Sequence, residues 1–214
     1  MSAADPVEAP ARVGRQRDPA ADAAILAAAL ELLDEVGYGA LTMASVIERA
    51  GVSSATLYRR WPAKHDLVAA ALESLAPAPV RVDKGSLERD LLAFAKLLGQ
   101  AMAAREAVLE RLVIDLHLHP ELTAAVRAKL VAPRLEALAG ILRRAVERGE
   151  LTRHPPVEVV LSLLAGPIYH RAAGMGEPIT PAFLRTVATN VLHGLRGGGA
   201  PAGGPGSPGS STGG

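Results

Sequence analysis

Apolar residues recur along this chain at the spacing of successive helix turns. One stripe begins at Ile25 and ends at Val36, and Gly37 and Gly39 follow it. A second stripe lies near the C-terminal end, where the intervals alternate between one and three residues: Phe183, Leu184, Val187, Ala188, Val191, Leu192 and Leu195. Because an α-helix has 3.6 residues per turn, each stripe predicts a helix with one buried face.

Capping residues and prolines divide the chain into further helices. Asp18-Pro19 and Thr180-Pro181 each place a capping oxygen before a proline that needs no N–H partner, which predicts two helix starts. The pattern between them predicts helices over about 42–50, 53–61, 62–75, 86–103, 105–118, 120–148 and 156–173. Pro133 must kink or interrupt the helix in which it lies. We therefore predict an all-α fold of about nine helices.

Composition agrees with this fold class and narrows the function classes. Hydrophobic residues make up 49% of the chain and aromatic residues only 3%, so Ala, Leu and Val must supply the core. The chain has no cysteine, which excludes disulfides and thiolate metal sites. The longest uncharged apolar run, Val159 to Tyr169, is shorter than the roughly 18 residues of a membrane span, and the N-terminal segment has no secretory signal pattern. We expect a cytoplasmic chain without a membrane partner.

Charge is nearly balanced overall but clustered locally. The net charge is +1, which argues against a strongly basic class of nucleic-acid-binding protein. Seven bases and nine acids lie within residues 1–66, and all seven bases fall in the windows 12–17 and 49–64. The second window also contains Tyr58 and Trp61. A solvated charged helix face, a membrane-surface segment or a nucleic-acid reader would each account for this cluster.

Residues 42–67 favour the reader. The pattern there is a short helix, a turn at Gly51, a second short helix and a helix that begins at Pro62, which is the arrangement of a helix-turn-helix. On the second helix, Leu57 and Trp61 are one turn apart and face inward together. Rotation by 100° per residue places Ala55 and Arg59 on the opposite side. That outward face is small at its centre and basic at its end, which suits the major groove of DNA.

Other residues around this helix are predicted to contact DNA as well. Thr56 and Tyr58 flank the outward face, and Lys64 lies in the first turn of the following helix, where free N–H groups favour a phosphate. The predicted DNA-binding residues are Arg15, Arg17, Thr42, Ser53, Ser54, Ala55, Thr56, Tyr58, Arg59, Arg60 and Lys64. The competing hypothesis is a purely structural three-helix unit.

This stretch resembles the tetracycline-repressor (TetR) family of bacterial transcription regulators. The resemblance covers about residues 20–68 and rests on Thr42, Ala50-Gly51-Val52-Ser53, Thr56-Leu57-Tyr58, Arg60, Trp61, Lys64 and Leu67. Two residues depart from the family pattern, Ile47 where Ala is usual and Trp61 where Phe is commonest. The resemblance implies a homodimer of about nine helices per chain, with a variable ligand-binding C-terminal domain. The sequence "LAGPIYHR" at 164–171 also looks like a feature of some family members.

Four regions follow from these observations. They are a flexible basic arm at 1–17, a helix-turn-helix domain at 18–66, a helical effector-binding and dimerisation domain at 67–196, and a disordered Gly/Pro/Ser-rich tail at 197–214. The eighth and ninth predicted helices are candidates for the dimer interface, through Leu161, Leu164, Ile168, Leu184, Val187, Val191 and Leu195. The alternative is an internal core pair.

A candidate effector pocket lies among the fifth to eighth helices. Its predicted lining is Phe94, Leu98, Met102, Leu112, Asp115, Leu116 and His119, although each of these could be ordinary core or surface. Few polar groups are interleaved, which predicts an apolar or amphipathic ligand. His117 and His119 lie about 200° apart on a helix and cannot share a metal ion. No catalytic motif is present, so we expect neither an enzyme nor a cofactor.

The leading hypothesis is a dimeric, ligand-responsive regulator that binds a palindromic operator in double-stranded DNA, most often as a repressor. One alternative is a helical small-molecule-binding protein that no longer binds DNA specifically. Another is an architectural protein that binds any duplex, for which the basic arm with Arg12, Arg15 and Arg17 would be suited.

Overall fold

The computed structural model describes residues 18–76, 81–104 and 106–197, and within them the regular structure is entirely helical. The predicted arm, with Arg15 and Arg17, and the tail from residue 198 lie outside the described residues. The helices are α1 Pro19–Ala40, α2 Met43–Ala50, α3 Ser54–Tyr58, α4 Lys64–Leu75, α5 Leu87–Ala103, α6 Glu106–Leu118, α7 Pro120–Val126, α8 Ala132–Glu147, α9 Val157–Tyr169 and α10 Pro181–Gly197.

Two π-helical turns join or extend these helices. Arg127–Val131 connects α7 to α8 without a break, and His170–Gly174 extends α9. Counting α7 and α8 as one continuous rod gives nine helical rods in the described part of the chain, which confirms the predicted all-α fold. Pro133 stands in the first turn of α8, directly after the π turn. Pro133 has no backbone N–H and cannot donate a helical hydrogen bond. The wider π turn lies directly before this gap and lets the rod continue.

A capping carboxylate and a glycine determine where α1 begins and where it bends. The carboxylate of Asp18 accepts hydrogen bonds from the backbone N–H groups of Ala20 at 3.0 Å and Ala21 at 3.3 Å, so α1 begins where predicted. The helical backbone conformation is interrupted at Gly37, where the predicted apolar stripe ends. Gly37 adopts a φ of +76°, which favours glycine, and the chain bends there before one further helical turn to Ala40.

The boundary between α3 and α4 differs from the prediction. Helix α3 ends at Tyr58 rather than at Trp61, and α4 begins at Lys64 rather than at Pro62. A proline disfavours helical conformation in the residue before it, so Pro62 separates the two helices instead of opening the second. The turn after α3 stays tight, because the N–H group of Trp61 donates to the Leu57 carbonyl at 3.0 Å.

The apolar side chains form two cores. The N-terminal core joins α1–α4 to the inner faces of α6 and α7, and it contains Ile25, Leu33, Leu57, Leu67, Leu72, Leu112 and Leu122. The C-terminal core joins α5, α8, α9 and α10 and contains Phe94, Leu98, Leu138, Ile141, Leu164 and Ile168. The predicted domain boundary at residue 67 therefore does not coincide with the division between the cores, because α4 belongs wholly to the first.

Candidate nucleic-acid interface

Side-chain caps fix the two short helices α2 and α3. The Thr42 hydroxyl accepts the Ser45 N–H at 3.1 Å, and the Ser45 hydroxyl accepts the Thr42 N–H at 3.2 Å. Gly51 ends α2 with a φ of +64°. The Ser53 hydroxyl caps α3 by accepting the Thr56 N–H at 3.3 Å and lies 2.9 Å from the Thr56 hydroxyl. Capping therefore engages the hydroxyls of Thr42, Ser53 and Thr56.

Helix α3 has one buried and one exposed side, as its periodicity predicts. Leu57 is fully buried, and Trp61 packs, partly buried, against the N-terminal core. Ser54, Ala55, Tyr58 and Arg59 are exposed, with Tyr58 at 49%. The outward face thus consists of a hydroxyl, a methyl group, a phenol and a guanidinium.

Arg49 is bound within the chain rather than at this face. Its two terminal nitrogens donate to the two carboxylate oxygens of Glu35, each at 2.8 Å, and one of them reaches Glu31 at 3.4 Å. The paired guanidinium lowers the pKa of Glu35 and the carboxylate raises that of Arg49. Arg49 therefore ties α2 to α1, although this pair is exposed to solvent.

Arg60 and Lys64 also have partners within the chain. Arg60 pairs with Asp22 and donates to the Asp18 carbonyl at 3.4 and 3.5 Å, which ties the end of α3 to the start of α1. The Lys64 ammonium donates to the Tyr38 carbonyl at 2.8 Å and lies 4.1 Å from the centre of the Tyr38 ring. Burial lowers the pKa of Lys64.

Tyr38 is the centre of a junction between α1, α4, α6 and α7. Its backbone N–H donates to the Asp115 carboxylate at 2.9 Å, and its hydroxyl donates to Glu121 at 3.4 Å. The His119 ring meets the Tyr38 ring edge-on at 4.7 Å between centres. This junction was not predicted from the sequence. The available signal was an aromatic residue between two glycines at the end of an apolar stripe.

Two protein-family models match this chain, one over the helix-turn-helix and one over the C-terminal helices. The family model described as "Bacterial regulatory proteins, tetR family" matches residues 25–71, and the one described as "Tetracyclin repressor-like, C-terminal domain" matches residues 81–191. The chain belongs to the TetR family. It is therefore a DNA-binding transcriptional regulator, as the resemblance of residues 20–68 implies.

Several transcriptional regulators are similar to this chain over most of their length. The "Uncharacterized HTH-type transcriptional regulator YdeS" of Bacillus subtilis is 32% identical, with 86% of this chain and 93% of that protein covered. The "DNA-binding transcriptional repressor TetR" of Mycobacteroides abscessus is 33% identical, with 79% and 90% covered. The crystal structure of TetR family transcription regulator SCO0332 shares 32% identity and a TM-score of 0.60, with 82% of this chain and 98% of that one covered.

The residues predicted to line one effector pocket do not come together in this TetR-family fold. Phe94 and Leu98 are buried in the C-terminal core, whereas Leu112 and Leu116 belong to the N-terminal core. Asp115 and His119 contact Tyr38 instead. The physical reason is that α6 packs against α1 rather than against α5.

Met102, one of the predicted pocket residues, lines a cavity in the described part of the chain. This cavity has a volume of about 500 Å³ and lies between α5, the π turn after α9 and the segment before α10. Its walls are mostly apolar, and Lys96, Gln100 and Glu177 supply polar groups. Helices α5 and α10 approach closely at the edge of this cavity. A Cβ atom added at Gly99 would lie 3.1 Å from the Leu184 side chain.

The residues predicted for the dimer interface lie mainly in the chain's own core. Each of the following is at most 9% exposed: Leu161, Leu164, Ile168, Leu184, Val187 and Val191. Leu195 packs, partly buried, against the same core. These side chains have little area left to bury against a second chain. The exposed apolar residues of α9 are instead Val159 and Leu163, each 53% exposed, beside a groove of about 860 Å³ between α9 and α10.

Neither a metal site of three ligands nor a membrane-spanning helix is found among the described residues. His117 bonds to the Val113 carbonyl at 2.8 Å and His119 lies 3.4 Å from Glu121. Within residues 18–76, 81–104 and 106–197, no group of three His, Asp or Glu side chains is arranged to hold a metal ion. None of the helices described is both long and apolar enough to cross a bilayer.

Proposed function

We propose that this TetR-family regulator is a homodimeric repressor that binds a palindromic operator and is released by a small molecule. The observation that carries the proposal is α3, a short helix with Leu57 buried beneath it and an outward face of Ser54, Ala55, Tyr58 and Arg59. In a helix-turn-helix protein the second helix enters the major groove, where small residues and donors reach the base edges.

Phosphate contacts would come from the elements around α3. The backbone N–H groups at the starts of α2 and α4 are oriented for phosphate oxygens, close to Thr42 and Lys64. Hydroxyl groups on or beside α3 would contact phosphates of the same DNA strand. They belong to Ser53, Ser54, Thr56 and Tyr58. Arg60 would act by holding α3 against α1. Arg15 and Arg17, which lie outside the described residues, remain proposed phosphate contacts.

A second copy of the chain would cover α9 and α10. Val159 and Leu163 form an exposed apolar strip along the groove between these helices, and Thr186, Asn190 and Gly194 of α10 line the same groove. A four-helix arrangement across a twofold axis would bury this strip. The dimer then presents two α3 helices to half-sites about 34–36 Å apart, which is one turn of DNA.

The cavity beside Met102 is our candidate effector site. A volume of about 500 Å³ falls in the range of small-molecule pockets. Its apolar walls and the Lys96 ammonium at its edge favour an amphipathic molecule with an acidic group. A ligand that prefers one spacing of the two α3 helices over the other changes operator affinity, commonly by 1–3 kcal/mol of coupling.

A mobility-shift assay on DNA flanking the protein's own gene tests the proposal. We expect a specific, salt-dependent shift with one promoter fragment and none with a scrambled control, and Arg59→Ala should lose it. The absence of a specific shift throughout that neighbourhood at moderate salt would overturn the proposal. If anilinonaphthalene sulfonate still binds and Met102→Glu weakens it, the small-molecule-binding alternative takes its place.

A further inference from the structure

We propose that Arg59 sets operator specificity by reading one guanine in each half-site, while the other cations of the helix-turn-helix act as positioning groups. This inference rests on the proposed operator binding and adds the identity of a base and of its reader. It follows from an asymmetry that the sequence does not show, namely which of the clustered cations the fold has already bound.

Four Lys and Arg side chains lie between residues 18 and 76, namely Arg49, Arg59, Arg60 and Lys64. Arg49 is held by Glu35 and Glu31, Arg60 by Asp22 and the Asp18 carbonyl, and Lys64 by the Tyr38 carbonyl and ring. Within the described residues, the Arg59 side chain has no ion pair and no hydrogen bond, while its backbone N–H donates to the Ala55 carbonyl at 3.3 Å. Its guanidinium is therefore available to a ligand without breaking an interaction of the folded chain.

The position of Arg59 suits contact with a base edge. Arg59 and Ala55 lie one turn apart on the same exposed side of α3. The methyl group of Ala55 is too small to hold the helix away from the floor of a groove. The neighbouring hydroxyls of Ser53 and Thr56 are 2.9 Å apart and cap the helix, so they compete little for base edges.

Guanine is the base that the guanidinium fits. Its major-groove edge presents two adjacent acceptors, O6 and N7, and two N–H groups of the rigid guanidinium fork can donate to both. Adenine presents N7 beside the N6 amino donor, so one N–H group of the fork would face another donor. An unpaired reader on α3 therefore prefers G·C over A·T at one position.

Arg60 provides a matched control in the next position of the chain. Its interaction with Asp22 and the Asp18 carbonyl fixes the angle between α3 and α1. Removing it changes how well α3 sits in the groove on every sequence. The loss of Arg60 should therefore lower the affinity for all duplexes alike and leave the base preference unchanged.

The test is selection of bound duplexes from a pool with a random central region, using the full chain and its Arg59→Gln and Arg60→Gln variants. We expect the parent protein to select an inverted repeat with one guanine per half-site that Arg59→Gln no longer selects. A glutamine amide pairs with adenine, so the variant should prefer adenine there or nothing. In direct titration, the preference for guanine over adenine at that position should fall by roughly 5- to 150-fold.

The outcomes separate this inference from the proposed function. Failure of the parent protein to select any sequence removes operator binding itself. Selection of a repeat in which Arg59→Gln keeps the same guanine, or in which Arg60→Gln is the variant that loses it, overturns the assignment of Arg59 alone. Circular dichroism of both variants confirms that each is folded, and Arg59→Gln should keep the parent's melting temperature because its side chain has no partner to lose.

Discussion

Helices α3 and α9 both lie at the surface, but their outward faces differ in chemistry. Helix α3 buries Leu57 and exposes a hydroxyl, a phenol and a guanidinium. Helix α9 buries Leu164 and exposes Val159 and Leu163. A polar face with an unpaired cation is well hydrated and attracts an anionic partner. An exposed apolar strip instead favours contact with a second apolar surface. The outward face, rather than the buried one, distinguishes the kind of partner each helix suits.

The neighbouring residues Leu163 and Leu164 allow the largest effect to be measured. Leu164→Ala should lower the free energy of unfolding by about 2–5 kcal/mol, because it leaves a cavity in the C-terminal core. Urea denaturation at fixed protein concentration measures this loss. A value near zero would mean that Leu164 is not a core residue of the single chain.

Leu163→Glu should act on assembly instead of on folding. The carboxylate would be buried against an apolar surface in the dimer but remains in water in the single chain. We expect analytical ultracentrifugation to show a shift from dimer to monomer, and operator affinity to fall because the two α3 helices are no longer linked. Retention of the dimer would place the interface elsewhere. Glu158→Gln, on the same helix, is the control and should leave the assembly unchanged.

The junction at Tyr38 should show a smaller effect. Asp115→Ala removes the acceptor of the partly buried Tyr38 N–H and should cost about 1–3 kcal/mol of unfolding free energy. Asp115→Asn keeps an acceptor oxygen at the same place and should recover most of the loss. Equal losses in the two variants, measured by urea denaturation, would show that the hydrogen bond is not the cause.

The smallest effect depends on pH. Burial, together with the Glu121 carboxylate, raises the pKa of Tyr38 to about 12, from a usual value near 10. A group whose pKa is raised by folding stabilises the protein below its unfolded pKa, and this contribution is lost as pH rises through the folded value. Unfolding free energy should therefore fall between about pH 10 and 12.

Tyr38→Phe isolates this contribution. Without the phenol, the variant should lose less stability than the parent protein over the same pH window, measured by chemical denaturation in matched buffers. Parallel pH profiles for the two proteins would contradict the assigned cause, since other groups titrating in that window are common to both.

Periodicity and capping residues were enough to predict where α3 begins and which side it buries, but not that it ends at Tyr58. Its inner and outer faces follow from a 100° rotation about the helix. The Thr42 hydroxyl caps α2 and the Ser53 hydroxyl caps α3, each by accepting the backbone N–H group three residues later. The same method could not separate the apolar sides of α9, because α9 is apolar on more than one side and periodicity does not identify which side meets its own chain.

The partners of the cations depend on contacts between distant segments. Arg60 reaches a carbonyl 42 residues earlier in the chain, and Lys64 reaches one 26 residues earlier. Sequence clustering gives the number of positive charges in this region but not which of them the fold neutralises. The predicted effector residues also depend on contacts between distant segments. They lie in two separate cores because α6 packs on α1.

The position of α6 and α7 on the N-terminal core has a consequence for chimeric regulators. A fragment that stopped at residue 76 would leave the apolar sides of α1 and α4, including Leu67 and Leu72, in water where Leu112 and Leu122 now cover them. Exchange of operator preference between relatives is therefore cleaner by grafting the outward residues of α3 alone than by splicing whole N-terminal segments.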